Sequence, residues 1–312
     1  MKQTIKTLIT AHAHFDKDAI DLFSSFSTVI VRQFSRNELL KHIADFHILV
    51  IRIETKVDKE LIDAAKNLKI IATATTGLDH IDVEYAKKKG IELIAAQGVN
   101  TTATAEHAMA LLLALVRKIP AAHKFLLQGE WNRTVFIGTE LFGKKLGVVG
   151  FGRIGKEIAF RARAFGMTIL AYDPYLNDED FVKNNAAKME LDILLQEADV
   201  ITLHVFLTDE TRGFMNKDKF ALMRPTAFLL NCSRGEVVVE KDLLDALEHK
   251  KIAGAALDVF AKEPLPATSS LIVYAKQHDN LLLTPHIAGS TLEAIHDSGM
   301  DVAKKTKEFF ER

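Results

Sequence analysis

Short apolar runs alternate with amphipathic stretches along almost the whole chain. Runs rich in Val and Ile at residues 5–10, 28–31, 47–53, 69–73, 92–95, 146–150, 168–172, 200–204, 227–231, 253–257 and 281–284 predict strands. Between them, residues 59–67, 154–165, 191–196 and 241–249 carry the spacing of helices with one buried face. Strands that are apolar on both faces and joined by helical crossovers predict parallel sheets covered on each side, an α/β fold. Five strands precede residue 100, a new series starts at Leu146, and a long helix over residues 101–118 stands between them. The pattern therefore predicts two sheets. Ser290-Thr291-Leu292-Glu293 has the form of a capping box and opens a last helix towards Phe310. The step Met223-Arg224-Pro225 should end a helix, because a residue before proline resists the α conformation.

Composition narrows the class. With 312 residues, 48% apolar and 26% charged, the chain has the length of two domains and enough apolar surface to offset the ordering entropy of packed cores. Forty Lys and Arg against 41 Asp and Glu leave a net charge of -1, which gives no footprint for nucleic acid. Cys232 is the single cysteine and cannot form an intrachain disulfide, which suits a reducing compartment. The apolar run 108–116 is too short to cross a bilayer, and residues 1–10 mix Lys and Thr with apolar residues rather than forming a signal peptide. A cytoplasmic protein with no membrane or nucleic-acid partner is expected.

Gly150-Phe151-Gly152-Arg153-Ile154-Gly155 follows one predicted strand and opens a helix. In that setting Gly150 permits the tight turn, Gly152 lets backbone approach a pyrophosphate, and Gly155 allows close helix–strand packing. The N–H groups of Arg153 and Ile154, with the helix dipole, then face phosphate. The next strand ends at Asp173, eighteen residues after the last glycine, where an acid grips a ribose 2′-hydroxyl. A carboxylate there repels a 2′-phosphate, so NAD is expected rather than its phosphorylated form.

Arg234 follows another apolar strand in Asn231-Cys232-Ser233-Arg234-Gly235, Glu263-Pro264 follows Leu257-Asp258-Val259-Phe260, and Thr284-Pro285-His286 ends the last strand of the series. Taken singly, Arg234 reads as a surface salt-bridge residue and His286 as a structural histidine. Together, near the sheet edge that carries the glycine loop, they read as chemistry. These segments, with Thr76-Gly77-Leu78-Asp79-His80-Ile81-Asp82, Ala105-Glu106-His107 and Gly254-Ala255-Ala256, occur in an order that resembles the D-isomer-specific 2-hydroxyacid dehydrogenase family over essentially the whole chain. Within the family, the chain resembles phosphoglycerate dehydrogenases and glyoxylate or hydroxypyruvate reductases.

The resemblance implies a Rossmann-type doubly wound parallel sheet, residues 100–289, inserted into a flavodoxin-like α/β domain made of residues 1–99 and 290–312. It implies that His286 carries the proton that accompanies hydride transfer at C2, since imidazole titrates near neutrality. Glu263 should contact His286 and favour imidazolium, an opposite charge at that range shifting a pKa by about 1–3 units. Arg234 should hold the substrate carboxylate through its planar fork. Thr76, Gly77 and Leu78 should complete the carboxylate cradle with backbone N–H groups. Asp258 should anchor the nicotinamide amide, with Thr104, Cys232, Ser233 and Gly289 also at the cofactor and the loop from His204 to Thr211 near the adenosine half. Cys232 itself reads as a small buried residue rather than a nucleophile, as no cationic activator but Arg234 is evident.

A carboxylate at Glu263 sets the chain apart from formate dehydrogenases, which resemble the family but carry glutamine there. Arg52 matches an arginine that approaches substrate in phosphoglycerate dehydrogenases; it serves either a phosphate or a positioning role shared by several subfamilies. With no regulatory domain after residue 312, a phosphoglycerate enzyme of this kind is expected to be the short, non-serine-sensing form. Thr75 stands where glycine is common, and Phe206 where His-x-Pro-Leu is usual. His12, Ala13 and His14 form no clear ligand set, so no metal is expected. A homodimer is expected from the apolar helix 101–118, and Trp131 matches a family position near the cleft or a subunit contact. A non-enzymatic, dinucleotide-sensing corepressor is the alternative; such proteins carry extra tails, and the short stretch after the last helix favours an enzyme.

Overall fold

A computed structural model describes residues 5–10 and 15–311, so the stretch holding His12, Ala13 and His14 lies outside the described residues. The chain forms two compact units. One comprises Met1–Asn100 and Gly289–Arg312, the other Thr101–Ala288.

The first unit holds five parallel strands, β1 (Lys6–Ile9), β2 (Thr28–Val31), β3 (Ile48–Ile51), β4 (Ile70–Thr73) and β5 (Glu92–Ala95), in the order β2-β1-β3-β4-β5. That is the flavodoxin-like winding. Alternation along the strands splits the core into two layers. Leu8, Leu49, Ile51 and Ile71 pack on the helices that carry Leu39, Leu61 and Ala86. Ile9, Ile48, Val50, Ile70 and Ala72 pack on those that carry Phe23 and Val302. The last helix, Leu292–Glu311, is capped differently from the expectation: the Oγ1 of Thr291, not of Ser290, accepts the N–H of Ala294. The cap thus sits one residue further on, and Glu293 falls inside the first turn rather than at the position that would close a box.

The second unit holds seven parallel strands, β6 (Lys145–Val149), β7 (Thr168–Tyr172), β8 (Ala187–Lys188), β9 (Val200–Leu203), β10 (Phe228–Asn231), β11 (Gly254–Leu257) and β12 (Leu281–Leu283). Their order is β12-β11-β10-β9-β6-β7-β8, the doubly wound arrangement with its switch point between β9 and β6. The helices Thr101–Val116 and Arg153–Ala164 cover one face over Leu146, Val148, Ile169, Leu230 and Ala256. Helices carrying Leu194, Phe220, Leu243 and Leu271 cover the other over Val149, Ile201, Leu203, Leu229 and Leu257. Strand β8 was not foreseen: it has two exposed residues and no apolar pattern, and lies at the sheet edge. The helix expected to reach residue 118 stops at Val116; Lys118 takes a left-handed backbone and a second helix, Ile119–Leu127, follows. The helix before Pro225 ends at Leu222, consistent with the proline rule.

Candidate active site

The glycine loop leaves β6 at the switch point. Gly150 has φ +90°, and a Cβ there would sit 2.5 Å from the carbonyl oxygen of His204, the residue after β9. A Cβ on Gly155 would lie 2.3 Å from the carbonyl oxygen of Gly150, so the helix Arg153–Ala164 packs on the loop at the limit of backbone contact. Gly152, the helix N-cap, would meet nothing within 4 Å. Two glycines are thus needed by the fold, and one opens on free space at a helix N-terminus, where a pyrophosphate is received. Asp173, after β7, accepts the N–H of Phe151 at 2.9 Å through one oxygen and that of Tyr175 at 3.0 Å through the other. The acid is thereby held against the glycine loop, and carboxylate lone pairs remain for a ribose hydroxyl. The loop and the acid fit a dinucleotide.

His204 and Thr211 lie on the other side of the switch. The His204 ring is buried, with Nε2 2.9 Å from the Thr202 hydroxyl, and Nδ1 has no hydrogen-bond partner among the described residues. Burial lowers its pKa to about 4, so it is neutral near pH 7. The Thr211 hydroxyl donates to the carbonyl of Phe206 and ties the loop into a turn that leaves the Phe206 ring 79% exposed.

Arg234, Glu263 and His286 follow the neighbouring strands β10, β11 and β12. The Asn231 side chain shapes the first of these turns: its Oδ1 accepts the N–H and hydroxyl of Ser233, and its Nδ2 donates to the carbonyl of Arg234. Arg234 donates from Nη1 to the Ser233 carbonyl at 2.7 Å. A Cβ on Gly235 would lie 1.8 Å from the carbonyl carbon of Phe260, which no side chain can satisfy. This glycine lets the arginine turn rest directly on the backbone that leads to Glu263. Glu263 accepts the Phe260 N–H at 2.9 Å and meets His286 Nδ1 at 2.7 Å. Burial pushes Glu263 up, but the hydrogen bond and charge of His286, with the Phe260 N–H, outweigh it and hold the carboxyl below its ordinary 4.5. With Nδ1 committed to Glu263, Nε2 is the ring atom left for a substrate oxygen.

His286 has φ +53°, a left-handed backbone uncommon outside glycine. Asp258, fully buried at the end of β11, holds that turn. Its carboxylate accepts from the Thr284 hydroxyl at 2.6 Å and from the N–H groups of Ile287 at 2.9 Å and Ala288 at 2.8 Å, and its carbonyl accepts the His286 N–H. Burial pushes Asp258 up, but donors including His107 and Thr284 overcome this and keep its pKa below 3.8. Burial and the charge of Asp258 drive the Cys232 thiol far up, so it stays protonated and unreactive. Thr104 and Ser233 are buried in the same unit.

A profile described as "D-isomer specific 2-hydroxyacid dehydrogenase, NAD binding domain" matches residues 109–288, more than half of the chain. The chain belongs to that family. Hydroxypyruvate reductase of Thermotoga maritima is 40% identical over 292 residues, which cover 93% of this chain and 94% of that protein. D-3-phosphoglycerate dehydrogenase of Archaeoglobus fulgidus is 44% identical over 270 residues, covering 86% of this chain and 50% of that protein. The chain spans about half the length of the phosphoglycerate dehydrogenases it matches. Among solved structures, a glyoxylate reductase from Paecilomyes thermophila superposes with a TM-score of 0.89 at 28% identity, over 100% of this chain and 97% of that one. D-lactate dehydrogenase from Aquifex aeolicus, complexed with NAD and lactic acid, gives 0.86 at 29% identity over 98% and 95%.

The remaining 2-hydroxyacid dehydrogenase motif lies in the first unit. Arg52 follows β3, and Thr76, Gly77 and Leu78 follow β4, at the carboxyl edge of their sheet. Thr76 donates to Asn100 Oδ1 at 2.9 Å. Thr75 is accommodated, its hydroxyl 2.7 Å from that of Thr73 and 3.0 Å from the Gly77 carbonyl. The Gly289 backbone lies beside the Asn100 side chain. Sequence reasoning assigned no role to Asn231, Gly235, Thr284 or His107. The strand-end position of Asn231 and the glycine after the arginine were the available signals for the first two.

Proposed function

We propose that the protein is an NAD-dependent oxidoreductase that interconverts a small D-2-hydroxy acid and its 2-oxo acid. The observation that carries this reading is the 2.7 Å contact of Glu263 with His286 Nδ1, on the sheet edge that also presents Arg234 and the glycine loop. In the reductive direction, His286 gives the proton on Nε2 to the oxygen on C2, and its Nδ1–H stays in the hydrogen bond to Glu263, which fixes the ring. Arg234 binds the substrate carboxylate and draws electron density from the adjacent carbonyl. When bound, the cofactor supplies or takes up the hydride at C2. Gly150, Gly152, Arg153, Ile154 and Gly155 receive its pyrophosphate, Asp173 its ribose, the His204 to Thr211 loop its adenosine half, and Thr104, Cys232, Ser233, Asp258 and Gly289 its nicotinamide end. Asp173 favours NAD over its 2′-phosphorylated form.

Arg52, Thr76, Gly77 and Leu78 take the remaining polar groups of the substrate. The phosphoglycerate dehydrogenases among the relatives make 3-phosphoglycerate the first substrate to test, and the Thermotoga maritima hydroxypyruvate reductase and the Paecilomyes thermophila glyoxylate reductase make hydroxypyruvate and glyoxylate the alternatives. The experiment is consumption of NADH or NADPH with phosphohydroxypyruvate, hydroxypyruvate, glyoxylate and pyruvate, with chiral analysis of the product. Turnover with NADH to a D-product supports the reading; binding of NADH without turnover of any of the four supports a sensing protein instead.

Pairing of two copies belongs to the same reading, as does a reducing, cytoplasmic setting suited to a lone buried thiol. Most apolar side chains of Thr101–Val116 are buried within their own unit, so the helix first expected to pair is largely occupied. Ile119, Leu126, Leu127, Trp131, Val135 and Ile137 are all exposed instead, Trp131 at 85%, and form the surface that favours a homodimer. Sedimentation at micromolar concentration should give twice the monomer mass, and a monomer contradicts the assignment. No helix among the described residues is long and apolar enough to cross a membrane.

A further inference from the structure

The Ala105-Glu106-His107 segment has so far no part in the chemistry. Its histidine stands on the helix Thr101–Val116 with Nε2 3.2 Å from the Thr284 hydroxyl and 3.3 Å from Asp258 Oδ1. We propose that His107 is a positioning residue: it locks the Asp258–Thr284 pair that holds the left-handed turn 284–288 and so aims His286 at the substrate.

Proton bookkeeping supports this. Thr284 has one hydroxyl hydrogen, and at 2.6 Å it is given to Asp258. An ionised Asp258 has none to give. Both neighbours of His107 Nε2 are therefore acceptors, and that nitrogen must carry a proton. His107 is then the fourth donor around a fully buried carboxylate whose other donors are Thr284, Ile287 N and Ala288 N. Two of those four belong to the residues immediately after His286. A carboxylate short of one donor binds its remaining partners in a shifted geometry. The His286 N–H bond to the Asp258 carbonyl remains, but the N–H groups of Ile287 and Ala288 no longer fix the turn that keeps a non-glycine residue at φ +53°, so its hold on His286 loosens. An N–H donor is what the site requires, so an amide of similar reach can replace the imidazole.

The inference rests on the proposed activity, so the test reads structure and turnover separately. In the protein without cofactor, amide exchange at Ile287 and Ala288 should quicken about tenfold in His107→Phe, which keeps the ring and removes the donor. Leu229 and Leu230 in β10 should exchange as in the wild type. In turnover, kcat should fall about tenfold while KM for the 2-oxo acid changes less than about twofold. His107→Gln should restore both readouts to within about threefold of the wild type. If His107→Phe does not fold, His107→Leu, also without a donor, must show the same faster exchange at 287 and 288 and the same fall in kcat. Unchanged exchange at 287 and 288, faster exchange across the whole unit, or an equal loss in the Gln variant would each overturn the assignment. If the wild type reduces no 2-oxo acid, the proposed activity fails while the exchange comparison still decides what His107 does.

Discussion

Replacing the three glycines of the nucleotide loop by alanine, one at a time, should separate folding from binding. At Gly155 the new methyl would stand 2.3 Å from a backbone oxygen that cannot swing away. Overpacking of this kind costs about 1–3 kcal/mol. At Gly150 a contact of 2.5 Å with the His204 carbonyl is joined by φ +90°, and a left-handed backbone adds about 1–2 kcal/mol for any residue with a Cβ. The sums are about 1–3 kcal/mol for Gly155→Ala and about 2–5 kcal/mol for Gly150→Ala, with about 3 kcal/mol common to both ranges. In a unit of roughly 190 residues, between Thr101 and Ala288, that lowers Tm by about 6–12 °C. Gly152 is different. Its φ of -73° suits alanine, nothing lies within 4 Å, and the weaker N-cap preference of alanine is offset by the lower entropy of its unfolded chain. Gly152→Ala should melt within about 2 °C of the wild type and yet bind NADH at least tenfold more weakly, because the methyl occupies the path of the pyrophosphate. Thermal unfolding without ligand and NADH fluorescence titration give the two readouts. A Gly152→Ala protein that melts as low as the other two, or that binds NADH like the wild type, would refute the division of labour drawn from the loop.

Two further outcomes follow from the same geometry. Arg234→Lys should raise KM for the 2-oxo acid at least tenfold, since an ammonium lacks the planar fork that matches a carboxylate; steady-state kinetics with unchanged KM would remove Arg234 from the carboxylate. The buried His204 makes stability depend on pH. Its folded pKa of about 4 lies below the ordinary 6.5, so as pH falls the unfolded chain takes up the proton first. Its contribution is full above pH 6.5 and is lost between 6.5 and 4, by up to about 3 kcal/mol. Urea midpoints at pH 7.5, 5.5 and 4.5 should therefore fall more steeply for the wild type than for His204→Gln; parallel curves would contradict the buried neutral ring.

Much of this architecture is legible in the amino-acid sequence. Parallel sheets follow from strands apolar on both faces, as at Ile48–Ile51 and Val200–Leu203, where every residue is buried. The glycine loop and Asp173 carry local signals, because Gly150 and Gly155 answer contacts made within the loop or across one strand and Gly152 opens the helix that follows. The order of strands in each sheet is not a local property, and came only through family resemblance. The same holds for the proposed catalytic group: Arg234, Glu263 and His286 are far apart in the chain, and nothing in their immediate neighbourhoods states that the packing of Gly235 on the Phe260 backbone and the four donors on Asp258 bring their turns together. Strand β8 and the Thr291 cap escaped for a simpler reason. An exposed two-residue edge strand has no hydrophobic period, and adjacent Ser290 and Thr291 offer equivalent hydroxyls that only the backbone path distinguishes.

The proposed activity stands on His286, held by Glu263, moving the proton that accompanies hydride transfer. Single-turnover NADH oxidation should be followed side by side in the wild type and His286→Ala, with enzyme in excess over the best 2-oxo acid of the panel. NADH binding should be unchanged and the rate at least about 100-fold slower in the variant. A variant that oxidises NADH at the wild-type rate would contradict it.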